Sequence, residues 1–134
     1  MISRNDPNFS NPIMNFIKNL FSPSNNEAVT PAEAARRVAA GAAVLIDVRE
    51  ADEWAETGVA TPALTLAMSE LRGPSEAWKQ VLAQNKDREI LVYCRSGGRS
   101  GRVAETLCAQ GFKAVNIGGF SDWAGAGLPV RQVL

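Results

Sequence analysis

The sequence predicts an α/β domain of three layers, a small, mostly parallel sheet flanked by helices. Three observations carry that expectation. Short apolar runs recur at 43–48 (AVLIDV), 90–93 (ILVY) and 114–117 (AVNI), as strands do when both faces of a parallel sheet are covered. Amphipathic stretches of helical period lie between them, the alternation of βαβ units. The chain has 134 residues, 46% hydrophobic and 21% charged, enough for one domain with its own core and scarcely enough for two.

The elements follow in order. Residues 1–27 are rich in Asn and Ser and hold Pro7, Pro12 and Pro23, so they are expected to form a flexible N-terminal extension ahead of a domain at 28–134. Within it, Ile13, Met14, Phe16, Ile17, Leu20 and Phe21 share one helical face, predicting a short amphipathic helix over about 13–21. Docking on the domain or on another chain is favoured over a membrane-surface anchor, because Lys18 alone attracts anionic lipid weakly. Met14 is an alternative start, with residues 1–13 then a leader.

Thr30-Pro31-Ala32-Glu33 reads as a capping box with proline at the first helical position, and that helix is expected to stop at Gly41. Strand 43–48 comes next, then a helical turn over 50–56, a weak strand near 63–66 and a helix over 74–84. Strand 90–93 leads to an amphipathic helix over 100–110, ended by Gly111. Strand 114–117 and a short helix over 120–124 complete the domain. No internal repeat is present.

Composition excludes several chemistries. Lys plus Arg and Asp plus Glu are each 14, which argues against a nucleic-acid binder. No apolar run approaches the roughly 20 residues of a membrane span, and no signal for export stands at the N-terminus. Histidine is absent altogether, so a Ser-His-Asp triad, a Cys-His pair and an imidazole metal site are all ruled out. Cys94 and Cys108 are too few for a disulfide framework or a four-thiolate zinc site. No metal and no cofactor are implied. Without an export signal, reduced thiols and a cytoplasmic location are expected.

The informative segment is 90–102, ILVYCRSGGRSGR. A buried strand ends, and Cys94 follows at its carboxyl end, where open α/β sheets bind ligands. Gly97 and Gly98 let the loop curl its N–H groups inward as an anion nest, and the next helix presents its positive end to the same point. Arg95 and Arg99 add charge. A thiol there is expected to ionise below the free value of about 8.5, giving a nucleophile without a histidine. The loop residues Arg95, Ser96, Gly97, Gly98, Arg99 and Ser100 are therefore candidate binding groups for an oxyanion. Cys108 falls on a helical face with Val103, Ala104 and Leu107 and is expected to be core. Trp78 and Trp123 are expected in the core as well, Trp54 either there or on a pocket wall, and Arg102 at the entrance or on the surface.

Over roughly residues 28–132 the chain resembles the single-domain rhodanese family of sulfurtransferases. Asp47-Val48-Arg49 followed by Glu53-Trp54 is similar to the family's first signature. Cys94-Arg95-Ser96-Gly97-Gly98-Arg99-Ser100 is similar to its active-site loop, and Gly118-Gly119-Phe120-Ser121-Asp122-Trp123 followed by Gly127-Leu128-Pro129-Val130 to its last signature. Where many members carry Gly-His-Ile and a Pro-Gly-Ala turn, this chain has Gly58-Val59-Ala60-Thr61-Pro62-Ala63.

The resemblance implies a transferase with catalytic Cys94. A small sulfur-anion donor such as thiosulfate would load it as a persulfide, and a thiol or cyanide acceptor, or a sulfur-relay protein, would unload it. Mercaptopyruvate, a desulfurase persulfide and a polysulfide are other compatible donors. Asp47 and Arg49 are expected to support the site by tying the first strand to its loops, Arg49 pairing with Glu50 or Glu53. Two rivals differ in class. A Cys-dependent phosphatase spaces its cysteine and arginine one residue further apart than Cys94 and Arg99. A non-catalytic interaction module of the same fold would have no need of a thiol in a cationic nest.

Overall fold

The computed structural model describes residues 28–133; the helix expected over 13–21 lies outside them. In chain order the elements are α1 (Pro31–Ala39), β1 (Ala43–Asp47), α2 (Ala51–Thr57), β2 (Val59–Ala60), β3 (Leu64–Thr65), a 3₁₀ turn (Met68–Glu70), α3 (Glu76–Gln84), β4 (Glu89–Cys94), α4 (Gly98–Ala109), β5 (Lys113–Gly119), α5 (Phe120–Gly125) and β6 (Val130–Arg131). Within the described residues every element expected of the 28–134 domain is present within a few residues. The short β2 and β6 were not expected. They pair antiparallel, apart from the main sheet.

The main sheet is fully parallel, with strand order β3-β1-β4-β5. Its strands alternate strictly between two cores, as a period of two requires. Ile46, Ile90, Val92 and Cys94 face Trp78, Val103, Ala104 and Leu107, under α3 and α4. Ala43, Leu45, Leu91 and Tyr93 face the other way, onto Ala34, Ile117 and Trp123, under α1 and α5. Cys94 thus lies on the α4 side of the central strand.

Local chemistry sets the helix ends. Thr30 Oγ1 accepts from Glu33 N–H, but the Glu33 carboxylate turns outward to Arg36 and Arg37, so only half of the expected capping box forms. Trp78 and Trp123 are core, as expected, and each buried indole N–H finds a carbonyl: Ala67 O at 2.9 Å and Pro129 O at 2.8 Å. The Gly58–Ala63 segment, where the chain departs from the common family pattern, is anchored by backbone. Val59 and Ala60 are fully buried against β6, and Ala60 N–H donates to Tyr93 Oη at 2.9 Å.

One polar cluster stands inside this frame. Asp47 is fully buried and Arg49 is 2% exposed. Arg49 forks onto the Asp47 carboxylate through Nε and Nη2 (2.8–3.1 Å) and also donates to Thr57 Oγ1 and Gly58 O. Trp54 Nε1 reaches Asp47 Oδ1 at 3.1 Å. The expected pairing of Arg49 with Glu50 or Glu53 does not form. Asp47 lies two residues back on the same strand edge, and a buried guanidinium takes the partner that satisfies most of its donors. Asp47→Ala should therefore cost about 3–5 kcal/mol by leaving Arg49 buried and unpaired. Urea unfolding measures it, and Asp47→Ala/Arg49→Met should recover much of the loss.

Candidate active site

β4 delivers Cys94 to the sheet's carboxyl edge with 1% of its surface exposed. The chain must then reverse into α4 within three residues, and Gly97 makes this possible with φ of 104°, a left-handed conformation that favours glycine. The turn brings Gly97 N–H onto Cys94 Sγ at 3.0 Å. Because the turn is so tight, α4 begins at Gly98, two residues before the sequence suggests. Ser100 then lies in the first turn of the helix, fully buried, with Oγ 3.3 Å from Sγ.

β5 fixes the loop from the other side. Asn116 Oδ1 is 2.7 Å from Ser100 Oγ and accepts Gly118 N–H at 3.0 Å, while its Nδ2 donates to Gly97 O at 2.9 Å. One amide thereby holds both residues that touch the sulfur. Sequence reading missed Asn116; its signal is a lone amide inside the apolar run of β5. Gly119 allows the contact, since a Cβ there would stand 2.2 Å from Arg95 O.

Burial alone would raise the Cys94 pKa, and it is the largest single influence. The Ser100 hydroxyl and the backbone N–H groups of Ser100, Gly97 and Ser96 together outweigh it and bring the thiol down to about 7. Ser100 has one proton and three acceptors within reach, Asn116 Oδ1, Cys94 Sγ and, at the longest distance, Gly118 O. In the thiol state S–H can donate to Oγ while Oγ–H serves Asn116; in the thiolate state Oγ–H can turn to the sulfur.

The arginines are placed differently from one another. Arg95 and Ser96 are exposed and line a cavity of about 400 Å³ with Arg49, Glu53, Glu56 and Phe120. Arg99 does not stand free, as the sequence suggested. Nη1 and Nη2 grip Glu53 Oε1 and Oε2 at 2.6 and 2.9 Å, and this ion pair holds the Glu53 carboxyl down to about 2. The acid comes from α2, distant in sequence and invisible within the loop. Arg102 is exposed on α4, and Trp54 is half-buried over Asp47.

Cys108 corrects another expectation. It is exposed, its Sγ 3.3 Å from Ala114 O. The buried stripe of α4 runs through Ser100, Val103, Ala104 and Leu107, and successive residues turn by about 100°, which carries Cys108 past its edge. Among the described residues no cluster of three or more Cys, Asp or Glu is placed to hold a metal ion.

Residues 30–126 match the rhodanese-like domain. The chain belongs to the rhodanese-like family of sulfurtransferases. The thiosulfate sulfurtransferase GlpE of Coxiella burnetii is 42% identical over 82 residues, 60% of this chain and 70% of that protein. The crystal structure of a rhodanese-related protein from Thermoplasma volcanium superposes with a TM-score of 0.65 at 29% identity, covering 80% of this chain and 99% of that one. A human single-domain sulfurtransferase gives 0.60 at 27% identity, with coverages of 73% and 95%. In the described part of this rhodanese-like chain no helix is long and apolar enough to cross a membrane.

The close approach at Gly119 generates a prediction. Gly119→Ala must push the loop off β5, so Cys94 should lose its Gly97 contact and its alkylation by iodoacetamide at neutral pH should slow several-fold. Gly125→Ala, which meets nothing within 4 Å, should react like the parent protein.

Proposed function

We propose that this rhodanese-like protein transfers a sulfane sulfur through a persulfide on Cys94, with Arg95, Ser96, Gly97, Gly98, Arg99 and Ser100 forming the donor site. The observation that carries the reading is the pair of hydrogen bonds on Cys94 Sγ, from Gly97 N–H and Ser100 Oγ–H, which supports a thiolate near neutral pH in a protein without histidine.

The chemistry balances in two steps. The Cys94 thiolate attacks the outer sulfur of thiosulfate; the S–S bond of the donor breaks and sulfite leaves with its electron pair. A persulfide remains on Cys94. An acceptor thiolate, small or borne by a relay protein, then attacks the terminal sulfur and Cys94 leaves as thiolate; cyanide takes the same role in an assay and becomes thiocyanate. The N–H groups that hold the thiolate also suit the anionic terminal sulfur of the persulfide. The similarity to GlpE of Coxiella burnetii, named a thiosulfate sulfurtransferase, supports thiosulfate as one donor. Asp47 and Arg49 are proposed to act by position, holding β1 against α2.

Three variants test this. Cys94→Ser should lose thiosulfate:cyanide transfer by at least about 10³-fold and show no mass gain of one sulfur after incubation with thiosulfate. Retained turnover would refute the mechanism. Arg99→Ala removes a cation and leaves the Glu53 carboxylate unpaired, so the Cys94 pKa should rise and KM for thiosulfate should increase several-fold. Cys108→Ser should retain activity.

A further inference from the structure

The cavity beside the loop is balanced in charge, whereas a loop with Arg95 and Arg99 suggests a cationic one. Arg49 and Arg95 on its walls face Glu53 and Glu56. Arg49 is committed to Asp47 and Arg99 to Glu53. Among the described residues Arg95 is the one arginine of the site that forms no salt bridge.

We propose that Glu53 is a specificity-determining residue: by occupying both terminal nitrogens of Arg99 it withholds a cation from the donor site and biases the protein toward singly charged sulfane-sulfur donors over dianionic thiosulfate. The inference rests on the sulfur-transfer reading above and deepens it.

The contact is built and not a loose rim pair. The Glu53 side chain is 19% exposed and that of Arg99 31%, both carboxylate oxygens are engaged in a fork, and Oε1 also accepts Glu50 N–H at 3.0 Å within the first turn of α2. Such bidentate geometry is the kind that holds when looser surface pairs do not. The carboxyl is ionised at every working pH, so Glu53 contributes a fixed negative charge and no proton. A donor entering beside Arg95 and Ser96 meets that charge and Glu56 at short range. Repulsion scales with the donor's charge, so a dianion suffers about twice what a monoanion does.

Methanethiosulfonate isolates this effect, because it replaces one oxyanion of thiosulfate by a methyl group. Its reaction is the same: Cys94 thiolate bonds to the outer sulfur, the donor S–S bond breaks, and methanesulfinate leaves with the electron pair. A persulfide anion again remains on Cys94.

The test is kcat/KM for both donors with cyanide as acceptor, with the Cys94 persulfide followed by intact mass. Glu53→Gln keeps an oxygen for Glu50 N–H and frees Arg99, and should shift the ratio of the two constants toward thiosulfate by about tenfold, the order expected of one partly screened charge. Glu53→Asp should keep the parent ratio, and Glu53→Gln/Arg99→Gln should return toward it. Added salt should shrink the shift. An unchanged ratio in Glu53→Gln, or an equal loss with both donors, would overturn the proposal and leave Glu53 as a structural clasp. Failure of both donors to load Cys94 in the parent protein would overturn the sulfur-transfer reading itself.

Discussion

Burying a thiol at the end of a parallel strand works against its ionisation, and the loop after β4 exists in this molecule as the answer to that cost. Cys94 is almost wholly buried, yet its sulfur meets Gly97 N–H and the Ser100 hydroxyl. Neither donor holds its place alone. Gly97 can turn toward the sulfur because its φ is positive, and Asn116 clamps Gly97 O and Ser100 Oγ together. Gly119 lets β5 approach Arg95 O closely enough for the clamp to close. In a chain without histidine, neutral groups thereby bring the thiol down to about 7, and the arginines are left for other work.

The opposite face of the sheet supplies the second half of the site. β1 and β4 run in register, so Asp47 pairs with Tyr93 immediately before Cys94. The fork of Arg49 on Asp47 is too deeply buried to count as a simple gain in stability, since desolvation offsets much of the attraction. Its effect is geometric. Arg49 reaches Thr57 and Gly58 at the end of α2 and lies 4.6 Å over the Phe120 ring at the start of α5. α2 is thereby fixed with its first turn facing the loop, and that turn carries Glu53 to Arg99. A strand-end ion pair and a loop-edge ion pair are thus two ends of one lever.

Much of the fold was legible in the sequence because the strands are continuous apolar runs and the helices carry ordinary start and stop signals. Ala43–Asp47 ends one residue before the expected strand, and Glu89–Cys94 and Lys113–Gly119 extend theirs by one or two residues at each end. The two-residue strands β2 and β6 carry no periodic signal, and only tertiary contact makes them strands. In the site, Cys94 and its glycines announce themselves by juxtaposition within a few residues. Asn116 and Glu53 do not, because they lie on β5 and α2 and meet the loop only after folding. Arg49 was matched to the wrong carboxylate for a related reason: sequence proximity ranks Glu50 and Glu53 with Asp47, while burial favours Asp47. Cys108 shows the opposite error, a residue one step off a buried helical stripe.

Hydrogen bonds from neutral groups, with Ser100 foremost among them, oppose the burial of Cys94 and lower its pKa. The most direct test is a pH titration of the thiolate by its ultraviolet absorbance in the parent protein and in Ser100→Ala, each in a Cys108→Ser background. The parent sulfur should lose its proton with a midpoint of about 7, thiolate predominating above it and thiol below. Removing the hydroxyl leaves burial less opposed, so the Ser100→Ala midpoint should move upward to or beyond the free-thiol range near 8.5. A parent midpoint near the free-thiol value, or one that Ser100→Ala leaves unmoved, would contradict the account.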